Sequence, residues 1–106
     1  MRWLPIAVCI AQTMIAVPAL ATLPKDTPVR IRAAGLDAGW SEGKIGVSPA
    51  GCTMVYLKTK TKAGYTSVAL VAVEQMERQQ GGGWVAEPLK PHVAQESKAC
   101  RDAAND

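Results

Sequence analysis

The most distinctive polar pattern in this 106-residue chain is a series of lysines that alternate with threonines. Lys58, Lys60 and Lys62 are separated by Thr59 and Thr61. An extended backbone turns alternate side chains to the same side, so we expect the three ammonium groups on one face. Such a stripe predicts binding to an anionic polymer, which would be lipopolysaccharide, a cell-wall polymer or nucleic acid. The alternative is edge protection, because lysines on an exposed hairpin discourage pairing between strands of different molecules.

A second basic pair and two aromatic residues extend this candidate surface. Arg30 and Arg32 are also two residues apart, which predicts that they share one face of a strand. Trp40 lies among glycine and polar residues in a predicted loop, and Tyr65 follows the lysine series. Both aromatic residues are either packing groups or platforms for a ligand. The candidate binding residues are therefore Trp40, Lys58, Lys60, Lys62, Tyr65, Arg30 and Arg32.

Residues with catalytic potential are few, and their spacing does not favour catalysis. His92 is the single histidine, and the local sequence supplies neither a nucleophile nor a group that would orient its ring. The glycine run 81–83 is not followed by the lysine and hydroxyl residue of a phosphate loop. We expect no enzyme activity, no metal site, no cofactor and no small-molecule substrate.

The N-terminus has the pattern of a secretory signal peptide. Arg2 precedes an apolar run over residues 3–17, Pro18 interrupts that run, and small residues follow at positions 19 and 21. This pattern predicts cleavage after Ala21 and a periplasmic or secreted protein. The alternative is an uncleaved anchor, but a membrane-spanning helix needs about 20 apolar residues, and this run is shorter. We therefore expect that the mature chain does not span a membrane.

Signal cleavage leaves two cysteines, because Cys9 lies within the apolar run. Two cysteines in an oxidising compartment allow one intramolecular pairing, Cys52 with Cys100. Two free thiols or an intermolecular bond are the alternatives. A loop of this length would constrain the unfolded chain by about 4 kcal/mol in the chain-entropy model. Their distance in sequence also differs from the C-x-x-C spacing of redox and zinc sites.

The composition indicates one small domain with a mild positive charge. Without residue Arg2 the chain has eleven basic against nine acidic side chains, a net charge of about +2. An excess this small is ordinary for solubility and is not a signature of nucleic-acid binding.

The mature sequence predicts an all-β domain of about five strands followed by a tail. Apolar and polar residues alternate over residues 29–32 and 44–48, and β-prone residues fill 52–58, 65–73 and 84–86. Glycines and prolines separate these runs, as in a small antiparallel barrel. Residues 73–77 are predicted either to continue the fourth strand or to form a helical turn. We expect a signal peptide over residues 1–21, a barrel domain over 22–87 and a C-terminal tail over 88–106, with a short helix after His92 anchored by the disulfide.

The order of these runs resembles the small SH3-like barrels of bacterial secreted and envelope proteins. The residues that carry the resemblance lie in 29–32, 39–47, 53–57, 68–70 and 73–77. In such barrels an opening strand, a long loop, three further strands and a helical turn follow in this order. The chain lacks the acidic loop and the early aromatic cluster of eukaryotic signalling SH3 domains, so binding of proline-rich peptides is not carried over.

The resemblance implies a binding role without naming a ligand. We therefore expect a non-catalytic binding or accessory module of the bacterial envelope whose partner is an envelope protein. Binding of an anionic polymer through the basic hairpin is the alternative, and it predicts affinity that falls steeply as salt rises.

Overall fold

The computed structural model describes residues 23–103, so the predicted signal peptide and its cleavage site lie outside the described residues. Six strands, one 3₁₀ turn and two short helices follow each other along this part of the chain. They are β1 (Pro28–Ala33), β2 (Ser41–Val47), β3 (Thr53–Leu57), β4 (Ser67–Ala69), the 3₁₀ turn (Leu70–Ala72), β5 (Val73–Gln80), β6 (Gly83–Ala86), α1 (Lys90–Gln95) and α2 (Lys98–Ala103).

The strands form one antiparallel sheet in the order β4-β3-β2-β1-β5-β6. The all-β prediction is confirmed in this form. The sheet is open, with β4 and β6 at its two edges, and it has six strands where about five were predicted.

The additional strand arises because the fourth predicted run is interrupted. Leu70 turns into the interior and is almost fully buried in the 3₁₀ turn, which separates β4 from β5. Val73 therefore begins a new strand and neither continues β4 nor lies in a helical turn. The residues of this turn are apolar and β-prone like those of the strands beside it. The sequence pattern therefore did not reveal the turn.

One face of the sheet holds the hydrophobic core. Alternate residues of β1 and β2, such as Ile31 and Ile45, point to this face and are almost completely buried. The intervening residues point to the opposite face, which we call the outward face. The buried core cluster consists of Val29, Ile31, Ile45, Val55, Leu70, Val73 and Met76.

The tail forms two short helices where one was predicted, and three contacts attach it to the sheet or its flanking residues. The predicted disulfide is present between Cys52 and Cys100, which are 48 positions apart. The Glu96 carboxylate accepts hydrogen bonds from the backbone N–H of Thr53 at 2.9 Å and from its hydroxyl at 2.9 Å. His92 contacts the carboxylate of Glu87 just after β6. These contacts hold the tail against the sheet.

Candidate functional site

The outward face contains a continuous stack of aromatic rings and guanidinium groups. The Arg30 guanidinium carbon lies 4.8 Å from the ring centroid of Trp40 and 4.9 Å from that of Trp84. Arg32 lies 4.3 Å from the Trp40 centroid. These distances are within the range of cation–π attraction. The contacts run in the order Trp84, Arg30, Trp40, Arg32, and we call these four side chains the outward stack.

Two polar neighbours further engage the arginines of the stack. Nε of Arg30 donates to Oε1 of Glu77 at 2.7 Å across the β1–β5 pair, and the two side chains form an ion pair. Arg32 donates to Oε1 of Gln75 at 3.2 Å. Both arginines were predicted to contact an anionic polymer, and in the structure both also have contacts within the chain. A ligand on this face would therefore contact arginines that already have hydrogen-bond partners within the chain.

A groove with a volume of about 710 Å³ crosses the outward face from β6 to β3. Trp84 and Tyr56 belong to the strands at its two ends, β6 and β3. Between them the cross-strand neighbours Gln79, Pro28 and Lys44 line the floor. We call this the outward groove.

The charged groups of the outward groove have no ion-pair partners within residues 23–103. Lys25, Lys44 and Lys58 line it together with Asp26 and Glu42, and all five are exposed. Within that described range, no carboxylate lies within 4.0 Å of these lysine nitrogens and no basic group lies that close to these carboxylates. The groove therefore offers positive and negative groups that are free to pair with a ligand.

A second, more polar groove of about 470 Å³ adjoins the first, because Glu42 and Lys58 line both. It brings together three of the predicted binding residues, Trp40, Lys58 and Lys60. The two grooves together form an elongated surface, which suits an extended ligand.

The lysine series does not adopt the extended conformation that its alternation predicted. Strand β3 ends at Leu57, and the backbone bends or turns over residues 58–64. Buried Thr61 closes this loop: its hydroxyl accepts the Tyr65 N–H at 3.0 Å. The backbone N–H of Lys62 donates to the Asp37 carboxylate at 3.2 Å. The prediction that the three lysines share one face assumed an extended strand through residues 58–62, and the strand ends before them.

Tyr65 lies away from the outward groove. Its ring is half exposed and packs near Gly35, and a Cβ placed on that glycine would lie 3.7 Å from the ring. A separate groove of about 300 Å³ contains Tyr65 with residues of β4. The structure thus does not join Tyr65 to Trp40 in one site.

His92 is buried and has the orienting partner that the local sequence did not reveal. Its Nε2 atom lies 2.7 Å from Oε2 of Glu87, and Oε1 of Glu87 accepts from Nε of Arg78 at 2.9 Å. Burial alone would raise the pKa of Glu87, but the hydrogen bonds and charges of His92 and Arg78 outweigh it and lower that pKa. Within residues 23–103 no hydroxyl or thiol is hydrogen-bonded to His92. The arrangement joins the tail to the sheet through one carboxylate.

Sequence reasoning missed Tyr56 and Lys44 as groove residues. They are cross-strand neighbours on the outward face, while the adjacent pair Ile45 and Val55 faces the core. The alternation in β2 and β3 was a usable signal for their exposure, because it places both residues on the face opposite Ile45 and Val55.

Among the described residues there is no group of three or more histidine, cysteine, aspartate or glutamate side chains placed to hold a metal ion. Nor does the described part of the chain contain a helix of the length and hydropathy needed to cross a membrane.

No protein-family model, curated protein or solved structure matches the chain.

Proposed function

We propose that this chain is an exported, non-catalytic binding module of the bacterial cell envelope, built on an SH3-like barrel topology. The observation that carries the proposal is the outward groove. Its walls include exposed aromatic and aliphatic groups, and its charged groups have no ion-pair partner among residues 23–103. Concave surfaces that combine apolar walls with a few convergent polar groups are typical of binding sites.

Export rests on the N-terminal sequence and is supported by the disulfide. Disulfides persist in oxidising compartments and are rare in the cytosol. The Cys52–Cys100 bond joins the chain before β3 to α2, so it is part of the folded architecture. A periplasmic or secreted protein would retain such a bond.

The strand order supports the SH3-like topology. The opening strand β1, a loop, strands β2 to β4 and then a helical turn follow in the order that the resemblance implies. Strand β5 then returns to pair with β1. Strand β6 is an addition to this arrangement, and it leaves the sheet with an open edge.

The partner that fits the groove best is a segment of an envelope protein. Lys44 and Lys58 would pair with acidic groups, whereas Asp26 and Glu42 require hydrogen-bond donors or cations. A polypeptide segment supplies both signs of charge together with apolar side chains for Tyr56. Because three lysines and two carboxylates line the groove, a ligand with both signs of charge fits it better than a uniformly anionic one.

The test is site-specific photo-crosslinking in cells that export the protein. A photoreactive phenylalanine analogue at Tyr56, in the groove, is compared with one at exposed Ala94 on α1. We expect a discrete adduct with an envelope protein from position 56 and none from position 94. Equal labelling from both positions, or none from position 56, would contradict the proposal.

Binding of an anionic polymer is the second candidate function, because Lys58 and Lys60 are exposed and lack ion-pair partners within the described residues. It predicts that substituting Lys58, Lys60 and Lys62 together by glutamate abolishes capture of the polymer, and that capture by the unmodified protein falls steeply with salt. A protein partner held mainly through the apolar walls would remain bound at high salt, and in the triple variant it would lose only the contribution of Lys58.

A further inference from the structure

Strand β6 forms an unprotected edge of the sheet. Its four residues, Gly83–Ala86, carry no charge and include no proline. Charges, prolines, bulges or a very short strand usually prevent an edge from pairing with another molecule. The other edge, β4, is only three residues long. Both edge strands are short and uncharged, and β6 offers the longer edge to a further strand.

The direction of the free backbone groups follows from one hydrogen bond. The N–H of Glu87 donates to the carbonyl of Met76 on β5 at 2.9 Å. Backbone groups alternate in direction along a strand, so Val85, two residues before Glu87, also turns its N–H and C=O toward β5. Trp84 and Ala86 therefore direct their N–H and C=O groups away from the sheet, at the free edge.

The side chains around this edge leave it accessible. Trp84 contacts Arg30 on β1, so its indole leans across β5 toward the middle of the sheet. Ala86 is small and exposed, and Val85 is 43% exposed on the opposite face. No strand within residues 23–103 pairs with the outer side of β6.

We propose that the β6 edge pairs with the same edge of a second copy of this chain, in an antiparallel arrangement centred on Val85. In this register Trp84 of each copy lies opposite Ala86 of the other, and these are the residues whose backbone groups are free. Four backbone hydrogen bonds would then satisfy both edges. Because the indole leans toward Arg30, it leaves room for the strand of the second copy, and the two exposed valines contact each other on the two-fold axis.

A second copy fits better than an unrelated strand because the edge is self-complementary. Such closed two-fold pairing uses the same patch on both molecules. The edge carries no charge that would select a partner of opposite sign. Because only three β6 residues of each chain, 84–86, pair with one another in this register, we expect a small interface that dissociates on dilution.

The first test is cross-linking of Val85→Cys in the mature protein with its native disulfide intact. At a non-hydrogen-bonded antiparallel pair the Cα atoms are about 4.5 Å apart, which falls within the range of about 4.4–6.8 Å that a disulfide spans. We expect copper–phenanthroline oxidation to give a covalent dimer. The control is Val47→Cys on β2, because Val47 is more exposed, at 58%, and lies far from the edge.

Sedimentation velocity over a concentration series tests the same interface without a new thiol. Val85→Lys places two like charges on the axis and should raise the dimer dissociation constant on the order of tenfold or more. Ala86→Pro removes an outward N–H and leaves the bonds to β5 intact, so it should also weaken the dimer. Val47→Lys should leave the dissociation constant unchanged.

The proposal is overturned if the unmodified protein remains monomeric up to about 1 mM, where an association free energy of about −4 kcal/mol would still give dimer, or if both cysteine variants cross-link equally. It is independent of the function proposed above. Failure of the dimer leaves groove binding intact, and failure of the Tyr56 cross-link leaves the dimer intact.

Discussion

The Nε2 atom of His92 lies 2.7 Å from Oε2 of Glu87, and this contact joins helix α1 to the chain that leaves β6. The other oxygen of Glu87 accepts from Arg78 on β5. One carboxylate thus connects the sheet with the tail. Both Glu87 and His92 are largely buried, with side chains 13% and 9% exposed. Loss of one partner would leave the remaining polar groups with unsatisfied hydrogen bonds.

This contact predicts an acid-sensitive contribution to stability. The pKa of Glu87 is lower in the folded protein than the usual 4.5, despite the opposing effect of burial. Such a carboxyl stabilises the fold above its unfolded pKa, and the contribution is lost as the pH falls through the folded pKa. We expect Glu87→Gln to lower the free energy of unfolding at neutral pH by about 1–3 kcal/mol, with a smaller difference from the unmodified protein in acid.

Urea unfolding followed by circular dichroism, from neutral pH into acid, measures how the free energy of unfolding differs between Glu87→Gln and the unmodified protein. Glu74→Gln is the matched control, because Glu74 is exposed on β5 and has no ion-pair partner among residues 23–103. Parallel pH profiles for the two variants would show that Glu87 is not the responsible carboxyl.

The outward stack predicts unequal roles for its two arginines. Arg30 contacts both tryptophans and pairs with Glu77, whereas Arg32 contacts Trp40 and donates one hydrogen bond to Gln75. We expect Arg30→Ala to reduce the free energy of unfolding by about 1–2 kcal/mol, and Arg32→Ala to reduce it by roughly half as much. Chemical unfolding should be followed by far-ultraviolet circular dichroism, because both substitutions change the surroundings of the tryptophans and so their fluorescence. Equal losses would mean that the Trp84 contact and the Glu77 ion pair together add nothing to the stability of the fold.

The parts of the fold that local alternation encodes could be predicted from sequence. Strands β1 and β2 follow from the alternation around Ile31 and Ile45, which a buried face requires. The disulfide followed from having two cysteines in the predicted mature chain. Its geometry confirms the pairing, with the two Cα atoms 5.6 Å apart.

The candidate site depends on pairings between strands distant in sequence, and these could not be predicted. Trp40 and Trp84 meet on Arg30 because β1 lies between β2 and β5, and β6 folds back beside β5. That return uses Gly81 and Gly82, whose φ angles of 61° and 84° suit a tight two-residue hairpin. The two glycines therefore form a defined turn.

The disulfide predicts a large dependence of stability on redox state. Cys52→Ser combined with Cys100→Ser should lower the free energy of unfolding by about 4 kcal/mol if the chain-entropy model holds. This is comparable to the whole stability of a domain of this size. The double variant and the reduced protein should have the same midpoint of thermal unfolding. An intact mass that shows two alkylated cysteines without prior reduction would contradict the bond.

Two glycines of β2 provide a further prediction, because Tyr56 limits the space at both. A Cβ at Gly43 would lie 2.5 Å from the backbone oxygen of Tyr56, whereas a Cβ at Gly46 would overlap the ring of the same residue. The backbone of a paired strand cannot move aside, but an exposed ring can rotate.

We therefore expect Gly43→Ala to reduce the free energy of unfolding by about 1–3 kcal/mol, and Gly46→Ala to reduce it by less than about 1 kcal/mol. Because Gly46→Ala displaces Tyr56 from the outward groove, it should also weaken photo-crosslinking from position 56 while the fold persists. Urea unfolding and the crosslinking yield measure the two effects separately. A Gly46→Ala variant at least as unstable as Gly43→Ala would show that the tyrosine ring is fixed in place, and that the groove wall is part of the fold's rigid framework.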